Sequence, residues 1–99
     1  MLLHIGQNRS VPLERILFVL NGRGAAQSAK DYISRAKKER RFMACAGKPK
    51  CYVVVKERGR ETVYASMIAS ATLEKRWRNE LERRYVKEAA VLTITAADN

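Results

Sequence analysis

Histidine, cysteine, proline and tryptophan are all scarce in this chain: one His, two Cys, two Pro and one Trp in 99 residues. With His4 alone there is no histidine pair for acid–base work, and no carboxylate pair stands out as a general acid and base. Cys45 and Cys51 are too few for a disulfide framework. They lack a CxxC spacing and His4 is distant in sequence, so a zinc site is poorly supported. Two reduced, partly buried thiols are the plainer interpretation. Long apolar runs are missing too. The longest, Ile16 to Leu20 and Tyr52 to Val55, are strand-sized, far short of the roughly 20 residues of a membrane span. Met1-Leu2-Leu3-His4-Ile5-Gly6 has neither the basic start nor the long apolar core of a secretory signal. A cytoplasmic location away from membranes is therefore expected. Neither internal repeats nor low-complexity segments are visible.

Acidic residues are also in deficit. Ten Asp and Glu face twenty Lys and Arg, a formal net charge of +10. Such a field attracts polyanions and speeds their encounter. It fits nucleic acid or an anionic surface, although solvated basic faces are common and charge alone identifies no site. Hydrophobic residues make up 46% of the chain, too many for a wholly disordered one. One small domain is implied, with a thin stability margin that assembly into an oligomer would widen.

Along the chain, Leu2 to Ile5 predicts a short strand, and Gly6-Gln7-Asn8 a turn. Ser10 to Glu14 can open a single helical turn, with Ser10 as cap and Pro12 tolerated early. Ile16 to Leu20 predicts a buried strand, broken by Asn21-Gly22-Arg23-Gly24. The period then changes. Ala26, Ala29, Ile33 and Ala36 recur at helical spacing, predicting an amphipathic helix over residues 25–40 with a cationic last turn that complements the helix dipole. Phe42 to Ala46 is a candidate short strand and Gly47-Lys48-Pro49-Lys50 a loop. Cys51–Lys56 and Thr62–Met67, joined across Arg58-Gly59-Arg60, predict a hairpin, with Val63, Ala65 and Met67 on one face. A second helix is expected over 71–85, with Ser70 as N-cap and a stripe of Leu73, Trp77 and Leu81. Trp77 on that stripe fits a packing anchor better than a base-stacking platform. Val91 to Thr95 has strand composition, and residues 96–99 look frayed. The expected fold is α+β: a small, mainly antiparallel sheet of four to five strands with two amphipathic helices. A single domain would span 1–85 and a C-terminal extension 86–99.

Gly22-Arg23-Gly24 lacks the Gly-Lys-Ser/Thr ending of a P-loop and the third glycine of a dinucleotide fingerprint. A strand-to-helix turn explains it fully, yet it precedes a helix N-terminus, where phosphate is accommodated, and Arg23 could touch a nucleic-acid backbone. Lys48 and Lys50 project from a loop stiffened by Pro49 and could neutralise phosphates without reading sequence. A plain solvated loop is the alternative. The same question attaches to Arg58 and Arg60. Tyr52 and Tyr64 do not complete the aromatic pattern of an RRM-type RNA-binding sheet.

Three stretches carry a family resemblance: Leu3-His4-Ile5-Gly6-Gln7-Asn8; Val11-Pro12-Leu13-Glu14-Arg15-Ile16; and Val63-Tyr64-Ala65-Ser66-Met67-Ile68-Ala69-Ser70-Ala71-Thr72-Leu73-Glu74-Lys75-Arg76. Together the chain resembles the Rem-type extracellular-matrix regulators of Gram-positive, spore-forming bacteria, and within them the RemB-like branch. The resemblance covers roughly residues 1–82. It implies a fold resembling LytTR-type DNA-binding domains, assembly into rings, and DNA-binding activation of biofilm matrix genes in the related RemA-like branch. In that branch a basic segment after a Gly, in the loop before the central hairpin, contacts DNA. Here Gly47, Lys48, Pro49 and Lys50 hold that place, with Lys-Pro-Lys where the family has paired arginines. Lysine meets phosphate as a point charge and lacks the fork suited to guanine.

The resulting expectation is a non-enzymatic, oligomeric DNA-binding regulator making mainly phosphate contacts. Lys48 and Lys50 lead as contact residues, with Arg23, Arg40 and Arg41 behind them. Double-stranded DNA and further copies of itself are the expected partners, without cofactor, metal or small-molecule substrate. The alternative is a non-catalytic protein-interaction or scaffold subunit with a basic surface.

Overall fold

The computed structural model describes residues 1–24 and 26–97, with side chains to residue 84. Its elements are β1 (Leu2–Gly6), β2 (Arg9–Pro12), a 3-10 turn (Leu13–Arg15), β3 (Ile16–Asn21), α1 (Gln27–Lys38), β4 (Phe42–Met43), β5 (Cys51–Glu57), β6 (Arg60–Ser66) and α2 (Ser70–Ala97). The fold is α+β.

Three consecutive valines, Val53, Val54 and Val55, are fully buried. Neighbouring side chains on a strand point to opposite faces, so β5 needs cover on both sides. It lies inside a four-stranded sheet of order β3-β5-β6-β4, in which only the β4–β6 pair is parallel. On one face Val53, Val55 and Cys51 pack with Leu3, Ile5, Val11, Leu13 and Leu73, contributed by the β1–β2 hairpin, the 3-10 turn and the start of α2. On the other, Val54 and Val63 pack with Ala36 of α1, rimmed by Leu20, Tyr32, Phe42 and Tyr52. The small Ala36 lets α1 approach the sheet closely. Among the described residues Ser66 is the one buried polar residue: its Oγ donates to the Ile5 carbonyl at 2.8 Å and accepts from Ile68 N–H at 3.1 Å, tying the end of β6 to β1.

Several expectations change. The helical turn read from Ser10 begins only at Leu13, and Arg9–Pro12 forms β2, paired with β1 as a separate two-stranded sheet. The cause is the turn before it: Gln7 and Asn8, at φ 54° and 60°, take the left-handed pair of values that folds a two-residue hairpin. The first helix is shorter than residues 25–40. Ala26 stands at its N-cap without a side-chain bond, and it ends at Lys38. The strand at Phe42 shrinks to two residues. On β6, Val63 and Ala65 are buried as expected, whereas Met67 lies beyond the strand and is exposed.

Ala69, not Ser70, takes the cap position of α2, since its carbonyl receives the N–H groups of Thr72 and Leu73, both at 3.1 Å. Leu73 is fully buried and Trp77 packs against the core, but Leu81 is 45% exposed at the rim of a cleft beside Phe18. The strand expected at Val91–Thr95 is not formed, because the backbone of α2 runs on through it to Ala97. Helix propagation adds a bond per residue once nucleated, and β-branched residues weaken it only slightly. The expected fraying at residues 98 and 99 lies outside the described residues.

Candidate nucleic-acid interface

The loop Gly47–Lys50 is fixed by backbone bonds on two sides. Gly22 N–H donates to the Lys50 carbonyl at 2.9 Å, and Lys50 N–H donates to the Ser66 carbonyl at 2.8 Å. Gly22 is required for the first contact: a Cβ there would lie 2.7 Å from the Lys50 carbonyl oxygen. The following turn is shaped by Asn21, whose Oδ1 accepts from Arg23 N–H at 3.0 Å. Cys45 Sγ donates to the Gly47 carbonyl at 3.1 Å. Antiparallel pairing of Asn21 with Cys51 thus sets the Arg23 turn directly against the Lys48-Pro49-Lys50 loop. Arg23, Lys48 and Lys50 are exposed, and among the described residues none has a carboxylate partner.

Arg40 and Arg41 lie elsewhere. They follow α1 at the opposite end of the sheet, where Ile16 pairs with Val55, about 17 Å from the Asn21 end at the usual rise per strand residue. Arg41 is absorbed by the fold. Its Nε donates to Glu39 Oε2 at 2.7 Å, Nη1 donates to the Glu61 carbonyl, and its own carbonyl accepts from Val63 N–H. Only 11% of its side chain is exposed, and the Glu39 hydrogen bond raises its pKa further above the ordinary arginine value. Tyr32 OH donates to Glu61 beside it, and burial, then that carboxylate, raises the phenol's pKa.

Arg40 has a different setting. Its N–H donates to the Lys37 carbonyl at 3.2 Å, and Arg41 N–H to the Ala36 carbonyl at 2.8 Å. These are the paired bonds of a Schellman helix end, with Arg40 in the left-handed position usually given to glycine, at φ 58°. Arg58 repeats the pattern. With Gly59 it forms the two-residue turn between β5 and β6, at φ 51° and 76°, where Asn-Gly is the favoured pair. Arg15, Arg40, Arg41, Arg58 and Arg60 line one open basin of about 420 Å³ with Glu57 and Thr62.

The predicted residues therefore divide: Arg23 joins Lys48 and Lys50, while Arg40 and Arg41 both line a second cluster, in which the Arg41 guanidinium is already paired with Glu39 and the Glu61 carbonyl. Arg15 was not among the residues expected to contact a ligand. The signal was its position just before β3, whose antiparallel partner ends at the hairpin carrying Arg58. Among the described residues no group of three or more His, Cys, Asp or Glu could hold a metal ion, and no helix is long and apolar enough to cross a membrane. Neither a protein-family model nor a curated protein sequence matches the chain.

Proposed function

We propose that this protein is a non-catalytic, cytoplasmic regulator that binds double-stranded DNA through phosphate contacts and acts as a homo-oligomer, as its resemblance to the Rem-type matrix regulators implies. The observation that carries this reading is the Gly22–Lys50 clamp, which holds the Arg23 turn against the Lys48–Lys50 loop. It presents Arg23, Lys48 and Lys50, without carboxylate partners among the described residues, on a backbone that pays little ordering entropy on binding. Lysines on such a loop contact phosphate and carry little sequence information, so affinity comes from repetition of modest contacts around an assembly.

Self-association has its own support. Leu17 and Phe18 are exposed on edge strand β3, and Phe18, Val19, Trp77 and Leu81 line a cleft of about 390 Å³ edged by Glu74 and Arg78. The same surface favours the second reading, a protein-interaction subunit whose basic face serves another partner. Mobility shifts on duplex DNA at low salt, with light scattering, discriminate. Under the first reading, Lys48→Glu with Lys50→Glu loses DNA and keeps the oligomer. Absence of any shift from the unaltered protein at low salt rejects DNA binding and leaves the interaction role.

A further inference from the structure

The arginine basin at the β5–β6 hairpin tip lies at the far end of the sheet from the loop just assigned. Of its five arginines Arg41 is paired with Glu39, whereas Arg15, Arg40 and Arg58 are exposed and, among the described residues, none of these three makes an ion pair, and Arg60 reaches only the Glu39 carbonyl at 3.5 Å. The basin's one carboxylate, Glu57, accepts the Tyr64 hydroxyl at 2.6 Å. Several guanidinium groups thus converge with little neutralisation, an arrangement that repels itself until an anion enters.

The backbone adds a second observation. Arg40 and Arg58 both occupy left-handed conformations, at φ 58° and 51°. Glycine or asparagine is the stable choice at such positions, and arginine is strained there. Two strained residues of one charge on the rim of one basin indicate charge kept at the expense of stability.

We propose that this basin is an oxyanion site, separate from the Gly47–Lys50 loop, that receives a phosphate group. Guanidinium forks match phosphate oxygens bidentately, and the Thr62 hydroxyl on the lining can donate a further hydrogen bond. The phosphate comes either from a nucleic-acid backbone or from a free polyphosphate, and the site stands whichever supplies it.

The test uses Arg40→Gly with Arg58→Asn in the full chain, probed with inorganic tripolyphosphate and with a short DNA duplex. Both substitutions remove charge and relieve strain. The melting temperature is expected to rise by about 4 °C or more, while tripolyphosphate affinity at low salt falls by about 10-fold or more. Unchanged affinity for both probes, or a fall in melting temperature, overturns the site. In a Lys48→Glu, Lys50→Glu background, tripolyphosphate binding should persist; its loss would merge the two sites and overturn their separateness. Residual duplex binding in that background that disappears with the arginine pair identifies backbone phosphate as the ligand. Tripolyphosphate binding with no duplex binding by any form identifies free polyphosphate, sustaining the basin and removing the DNA reading.

Discussion

Tyr64 shows how one residue couples the core to the basic surface. Its ring packs against the central cluster, its hydroxyl donates to Glu57 at the basin, and Arg9 sits 5.6 Å above the ring. Burial, then the Glu57 carboxylate, pushes the phenol's pKa up to about 12 from an ordinary 10.0. A raised pKa means that the fold favours the neutral phenol. The associated stability is fully present below pH 10 and is lost as pH rises towards 12. Tyr64→Phe removes the hydrogen bond and is expected to cost about 1 kcal/mol near neutral pH. Because the phenylalanine variant has no proton to lose there, its stability deficit should shrink between pH 10 and pH 12. Denaturant unfolding at stepped pH measures this, and parallel curves for the two proteins would refute it. Tyr32, also raised, titrates in both proteins and cancels from the difference.

Among the elements, the clamp between the Arg23 turn and the Lys50 loop makes the sharpest demand on sequence. At Gly22 an added Cβ meets Lys50 backbone, which cannot swing aside as a side-chain end would. Gly22→Ala should therefore destabilise the fold by about 1–3 kcal/mol and displace Lys48 and Lys50, lowering melting temperature and DNA affinity together. Gly24 is the control: its φ is +63° and nothing lies within 4 Å of its added Cβ, so Gly24→Asn, tolerated in that conformation, should leave both measurements near the original. Equal effects from the two substitutions would show that the contact does not position the loop. The sequence made Gly22 readable as a strand-to-helix turn, but its partner across the sheet became visible only through the Asn21–Cys51 register. Legibility followed period throughout. The valine run of β5 and the Ala29–Ile33–Ala36 stripe of α1 signalled themselves, because burial repeats along each. In β2 the only fully buried residue is Val11, between Ser10 and Pro12, so cap-like residues outweighed a strand defined by its turn and partner. The helical continuation of α2 likewise rests on propagation from residues upstream, which local strand composition conceals. The division of the basic residues was least legible, since Arg40 and Arg41 are adjacent in sequence and differ only in what surrounds each guanidinium.

For the molecule as a whole, the net charge of +10 bounds how many cations a polyanion can meet, while the fold sets which of them it would meet together. Charge spread evenly over a surface would make every cation equivalent, and losing two would scale affinity by a small fraction wherever they lay. Here exposed cations that lack carboxylate partners among the described residues gather at two ends of one sheet, about 17 Å apart along β3. A duplex presents one phosphate per about 3.4 Å of axis on each strand. A rigid separation of this size therefore admits simultaneous contacts only where backbone and protein run in register. Each phosphate neutralised contributes about 0.9 to the slope of log affinity against log salt. Replacing Lys48 and Lys50 with glutamine should reduce the slope by about 2 for each protomer in contact. Replacing Lys75 and Arg76, exposed on α2 and members of neither cluster, should leave the slope unchanged although the net charge falls equally. Fluorescence anisotropy over a salt series makes the comparison. An equal reduction by both pairs would mean that total charge governs binding, and would remove the loop from its assigned role.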